Sequence, residues 1–178
     1  MNDTQHIRDQ LLVLRARSAP EEFNALVDRW HAALWRHAYR LTHDRELAWD
    51  AVQEAWCAIY RRLDRLDDPA AFPKWAFRIV TNKCRDLARS NHRHQAALAN
   101  YEAQPKPPAS PATPDERLAL ALERLEPALR VLVALYYEES FSIREISEIT
   151  GDPEGSVKSR LYRARQELRH MMEELGHE

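Results

Sequence analysis

The residues with the clearest chemistry lie in Ser142–Arg165, SIREISEITGDPEGSVKSRLYRAR. Two apolar-periodic stretches flank a short turn containing Gly151, which predicts two helices joined as a helix-turn-helix. In the second stretch Val157, Leu161, Ala164, Leu168 and Met171 recur at intervals of four, three, four and three and so share one inward face. Lys158, Ser159, Tyr162, Arg163 and Arg165 are left on the outer or flanking faces. In such a unit the N-terminal part of the second helix enters the major groove. Lys and Arg bind guanine edges or phosphates, and Ser can bond either. The spacing therefore predicts duplex-DNA binding through these five residues.

A second set lies earlier. Lys74, Arg78, Arg85 and Arg89 follow offsets of 4, 11 and 15, which keeps them on one side of a helix, with Asn82 nearby. Trp75 and Phe77 are interleaved with them, and Phe72 precedes them. From Lys74 to His94 there are six Lys/Arg and one acid, a net of +5. Cations track a phosphate backbone, and aromatic faces stack on unpaired bases. The alternative is a solvated basic face with Trp75 in the core. A third set is acidic: Asp50, Gln53 and Glu54 fall opposite an apolar helix face, in a stretch Leu41–Asp68 of net -3. Such a face is either solvated surface or a protein-docking surface. Trp49 beside it is expected to be exposed, which favours docking.

Other classes of function are excluded by what the chain does not contain. With Gly151, Gly155 and Gly176 as its 3 glycines, it cannot build a phosphate-cradling glycine loop. No hydrolase, zinc-protease or Cys–His pattern is present, so no catalytic residue, metal site or cofactor is expected. Cys57 and Cys84 are far apart in sequence and form neither a disulfide framework nor a zinc motif. Their usage fits a reducing cytoplasm. The N-terminus lacks a signal-peptide core, and the longest apolar stretch, Val131–Tyr137, is too short to cross a bilayer.

The elements that must hold these residues read as all-α, in two small helical domains joined by a Pro-rich linker. Scarce Gly, 44% hydrophobic residues and 30% charged residues fit that class. The segment QAALANYEAQPKPPASPATP, residues 95–114, carries five of the 10 prolines and separates domains at 1–94 and 115–178. Extended, it would reach on the order of 60 Å at about 3.1 Å per residue. In the first domain, Ser18 and Glu21 have capping-box spacing before a helix with Phe23, Leu26, Val27, Trp30, Leu34, Ala38 and Leu41 on its apolar face. Asp44 is the expected N-cap of the next helix, and a third runs from about Lys74 to Ser90. In the second domain, Thr113/Glu116 and Ser142/Glu145 are further capping boxes. Leu118, Leu122 and Leu125 mark one buried face, Pro127 starts a helix with Leu129, Leu132 and Leu135, and Gly151 suits a left-handed C-cap.

Three stretches then resemble one family. DRELAWDAVQEAWCAIYRRL, FPKWAFRIVTNKCRDLAR and FSIREISEITGDPEGSVKSRLYRAR resemble regions 2.2, 2.3/2.4 and 4.2 of the extracytoplasmic-function (group IV) sigma factors of the sigma-70 family. The order of the three, with the Pro-rich segment between the second and third, strengthens the resemblance. It implies a promoter-specificity subunit that binds core RNA polymerase and directs transcription initiation, under an anti-sigma factor. It implies that Asp50, Gln53 and Glu54 dock on the β' clamp helices, and that the second domain meets the β flap. Loop Asp67–Pro73 and the helix after it would open the -10 element, holding a flipped base at the loop. Lys74, Trp75, Phe77, Arg78, Asn82, Arg85 and Arg89 would contact it. Lys158, Ser159, Tyr162, Arg163 and Arg165 would contact the -35 element.

The chain departs from the family pattern at several positions. Trp49 stands where an acid is usual, Ser147 where Ala is usual, and Leu125-Glu126-Pro127 where Leu-Pro-Glu is usual. Asp152 and Glu154 add negative charge near the DNA face. No fused C-terminal regulatory domain is expected. Two rivals remain: a helix-turn-helix regulator without polymerase docking, and a helical interaction protein without a DNA role. The overall formal charge of -2 argues against DNA binding only until it is resolved along the chain. Glu154–His170 is at +3, Lys74–His94 at +5 and Asp115–Glu139 at -3.

Overall fold

The computed structural model describes residues 3–95 and 113–175, and every regular element among them is helical. The chain divides into two compact units, most of the first being Met1–His92 and most of the second Arg93–Ser147 with Asp152–Glu178. Residues 96–112, most of the expected linker, lie outside the described residues.

The first unit contains four helices: α1 (Asp3–Ser18), α2 (Phe23–Thr42), α3 (Arg45–Arg62) and α4 (Phe72–Gln95). Asp44 caps α3 as expected, its carboxylate accepting from the N–H groups of Glu46 (2.8 Å) and Leu47 (3.1 Å). The loop before α4 is ordered as a 3-10 turn, Pro69–Ala71, capped by Asp68, which accepts from Ala70 N–H at 2.9 Å. Leu26, Trp30 and Leu34 of α2, Ala51, Val52, Ala55 and Ile59 of α3, and Ala76, Phe77 and Val80 of α4 form the core. Their helical spacing is what brings the three faces together.

One expectation fails at the N-terminus. Helix α1 extends through Ser18, so the Ser18 hydroxyl donates back to Leu14 O (3.2 Å) instead of capping α2. The chain then passes through a 3-10 turn, Pro20–Glu22, and α2 begins without a side-chain cap. Helix α1 itself has no counterpart in the sequence reading. It turns Asp9, Val13 and Ala16 inward and leaves Ile7, Leu11 and Leu14 exposed. Asp9 is stabilised there by a bidentate pair with Arg29 of α2, at 2.8 and 3.1 Å.

A buried polar pair ties α2 to α4. Thr81 donates its hydroxyl to Phe77 O (2.9 Å), which leaves its oxygen to accept from His37 Nε2–H at 2.8 Å. Burial, with a smaller contribution from Arg40, lowers the His37 pKa from 6.5 to about 3. His37 is therefore neutral in the fold, whereas the unfolded chain takes up a proton below pH 6.5. The stability this group contributes is complete above pH 6.5 and is lost as pH falls toward 3. Urea unfolding should show stability falling by about 1.4 kcal/mol per pH unit in that window. His37→Gln should flatten that slope, and an identical slope in the variant would remove His37 as its source.

The second unit contains α5 (Pro114–Arg124), α6 (Pro127–Val133), α7 (Ile143–Thr150) and α8 (Glu154–Glu174). A single π turn, Ala134–Glu138, extends α6. Both expected capping boxes form. Thr113 Oγ1 accepts from Glu116 N–H (3.2 Å) while the Glu116 carboxylate accepts from Thr113 N–H (2.9 Å). Ser142 and Glu145 repeat the arrangement at 3.3 and 2.9 Å. Leu118 departs from expectation: it is 43% exposed, because Ala121 of α5 and Leu125, just after the helix and one turn on, are the residues that face the core.

Candidate nucleic-acid interface and docking face

Helices α7 and α8 form the helix-turn-helix. Gly151 ends α7 at φ +75°, the left-handed conformation expected of it. Ser147 donates its hydroxyl to Asp152 O at 2.6 Å and so bonds across the turn. Val157, Leu161 and Ala164 are buried, which fixes the rotation of α8. That rotation leaves Lys158, Ser159, Tyr162, Arg163 and Arg165 exposed together.

These side chains are not all equally placed. The Ser159 hydroxyl donates to Ser156 O at 3.0 Å. Arg163 donates to Glu167 (2.7 Å) and to Glu126 (3.0 Å). The Glu167 hydrogen bond and charge, together with Glu126, push its pKa above the ordinary arginine value. Tyr137, in the π turn after α6, interacts with Arg165 and pushes its pKa above the ordinary arginine value. Arg160, which the sequence reading left out of the site, pairs with Asp152 at 2.9 Å. Asp152 is therefore partly neutralised, and its charge near this face counts for less than the sequence alone implied.

In the first unit, the single long helix α4 aligns the basic stripe. Arg78, Asn82, Arg85 and Arg89 are exposed, and Lys74 and Trp75 are half-buried. The Trp75 ring lies 6.2 Å from that of Phe72. Phe77 is the correction: it is fully buried, its ring 5.0 Å from that of His37, and it offers no face to a base. The helical period puts residue 77 on the core side of α4 while residues 78 and 82 point away. Lys83, counted in the basic excess of this segment, pairs with Glu54 of α3 at 2.8 Å.

Asp50, Gln53 and Glu54 are exposed on α3, one turn apart on the face opposite Ala51, Val52 and Ala55. Trp49 is 48% exposed beside them, as expected. The sequence reading missed the cavity that adjoins this face. Its volume is about 840 Å³, and its walls come from α2 and α3, among them His31, Trp35, Trp49 and Asp50. His31 is oriented by accepting from Trp56 Nε1–H at 3.3 Å, and its ring packs edge-on against Trp49 at 5.5 Å. An apolar hollow with a charged rim is what an interface needs to seat an anchoring side chain. The signal in the sequence was the pair of tryptophans, 35 and 49, but that both line one hollow depends on how α2 crosses α3.

Burial pushes the Cys84 thiol up to about 12, and Cys57 is exposed as a free thiol. Among the described residues, no His/Cys/Asp/Glu group has metal-site geometry, and no helix is long and apolar enough to cross a membrane.

Comparison with known proteins matches residues 26–94 to sigma-70 region 2 and residues 115–168 to sigma-70 region 4. The chain is 34% identical over 161 residues to the ECF RNA polymerase sigma factor SigL of Mycobacterium tuberculosis strain H37Rv, spanning 85% of this chain and 89% of that one. It is 32% identical to SigE of Mycolicibacterium smegmatis, over 86% of this chain but 62% of that longer protein. Among solved structures it resembles CnrH in complex with the cytosolic domain of CnrY (TM-score 0.61, 26% identity, 93% and 97% of the two chains). It shares its fold with the sigma factor RpoE in complex with the anti-sigma factor NepR from Bartonella quintana (TM-score 0.68, 24% identity, 86% and 98%).

Proposed function

The chain belongs to the sigma-70 family, among its extracytoplasmic-function sigma factors, and from that premise we propose how its surfaces divide the work of promoter recognition. It acts as the promoter-specificity subunit of RNA polymerase in the cytoplasm, and an anti-sigma factor controls it. It carries no catalysis of its own; polymerisation belongs to the core enzyme. The observation that carries the reading is that the exposed α3 acids of the region 2 match and the complete helix-turn-helix of the region 4 match occur in one chain.

Asp50, Gln53 and Glu54 dock on the β' clamp helices, with the Trp35–Trp49 hollow beside them to seat an apolar side chain. Arg78, Asn82, Arg85 and Arg89, with Lys74 and Trp75 at the start of α4, receive the separated strand of the -10 element. Capturing a base there offsets the few kcal/mol that unstacking costs, so melting needs no ATP. Lys158, Ser159, Tyr162, Arg163 and Arg165 hold the upstream duplex through its edges and phosphates.

Run-off transcription with core RNA polymerase and a promoter library tests this reading. The wild-type chain should produce transcripts from a restricted promoter set. Arg78→Ala should lower open-complex formation at those promoters by roughly tenfold, about the loss of one charge-assisted contact. A regulator without polymerase docking would bind DNA and yield no run-off, and a protein with no DNA role would do neither.

A further inference from the structure

Two carboxylates hold the Arg163 guanidinium. Its Nε donates to Glu167 Oε1 at 2.7 Å and its Nη2 to Glu126 Oε2 at 3.0 Å. Glu167 is one turn along the same helix, an ordinary spacing for such a pair. Glu126 comes from the junction between α5 and α6, where it is the N-cap residue of α6; its side chain makes no capping hydrogen bond, so its local role is limited to its charge at the helix N-terminus. Its backbone carbonyl does the structural work there, accepting from the N–H groups of Leu129 (2.9 Å) and Arg130 (3.0 Å).

We propose that Glu126, with Glu167, competes with DNA for Arg163 and so weakens the grip of the helix-turn-helix on upstream promoter duplex. The inference rests on reading Arg163 as a DNA-contacting residue. The carboxylates take two of the five guanidinium N–H groups, so Arg163 meets a phosphate or a guanine edge either by leaving Glu126 or with that carboxylate still attached. In both cases the carboxylate lies near the phosphate backbone, where its charge is repelled. Arg163 and Glu126 are both exposed, at 60% and 50% of their side-chain surface, so this competition takes place in solvent and is screened by salt. The chain therefore carries a built-in counterweight to its own upstream contact.

The test uses holoenzyme assembled from core RNA polymerase and the full chain. The probe is a duplex carrying the upstream sequence that wild-type holoenzyme enriches from a randomised pool. Glu126→Gln should bind it about three- to tenfold more tightly at low salt, with the gain shrinking as salt rises. Glu126→Ala should do the same, with at most a small fall in melting temperature from the charge lost at the N-terminus of α6. Arg163→Ala should weaken binding, and in that background Glu126→Gln should gain much less. If Glu126→Gln gains nothing while Arg163→Ala still weakens binding, the proposal falls and the DNA-contact reading stands. An equal gain in both backgrounds reduces Glu126 to a general negative charge and also overturns it. If Arg163→Ala binds like wild type, the DNA-contact reading of Arg163 fails and the proposal fails with it.

Discussion

Replacing Asp50 and Glu54 together with lysine is expected to abolish retention of the chain by core RNA polymerase in a pull-down, with at least a hundredfold rise in Kd. Both side chains are exposed on α3, one turn apart, so the change adds four units of positive charge to one helical face. Close charge pairs across protein interfaces couple by about 1.5 to 7 kcal/mol, and reversal adds repulsion to the lost attraction. The fold should tolerate the substitution. Neither residue reaches the core, and the Lys83–Glu54 pair is half exposed, so its loss costs no more than about 1 kcal/mol. The neutral variant Asp50→Asn with Glu54→Gln should bind between wild type and the reversal. Undiminished retention of the lysine variant would end the docking assignment. Loss of binding with intact DNA contacts would also separate this chain from a simple helix-turn-helix regulator.

Phe77→Ala should lower the stability of the first unit by about 3 to 5 kcal/mol, measured by urea unfolding. The ring is fully buried against His37, so truncation removes packing between α4 and α2 and leaves a cavity. The contrast that matters is with function. Phe77→Leu keeps most of the buried volume and should open promoters nearly as well as wild type at a temperature where both are folded. If Phe77 were instead a base-stacking residue, Phe77→Leu would abolish promoter opening while leaving unfolding almost unchanged. The two substitutions thus decide between core and site by opposite signatures.

This residue also marks where reading along the chain stops being sufficient. The aromatic, basic and polar residues of α4 share one short motif, and any of them could face DNA. The basic stripe could be picked out because four cations at helical spacing cannot all be buried. Phe77 is compatible with either side, and only the packing of α4 on α2, with the Thr81–His37 bond between them, commits it to the core.

Features governed by nearest neighbours were legible from the residues alone. Asp44, Thr113 with Glu116, Ser142 with Glu145, and Gly151 act on backbone groups within a few residues of themselves, so their types and spacing suffice. The same holds for the inward face of α8, where a regular apolar period sets the rotation and hence which residues point out. Ser18 had the right spacing and failed, because α1 ran through it and used its hydroxyl within the helix.

Helix α1 was hidden for the opposite reason: its apolar Ile7, Leu11 and Leu14 face out and its Asp9 faces in, so its pattern contradicts its packing. Arg29, twenty residues away in the chain, makes that inversion tolerable. The Trp35–Trp49 hollow and the Glu126–Arg163 contact are of the same kind, joining residues from separate elements whose meeting no local spacing encodes. By itself the sequence determined an all-helical chain of the sigma-70 family and the outward faces of its helices. The tertiary structure decided which of those outward residues already have partners, because a charge or a ring is satisfied by whatever lies across the space from it.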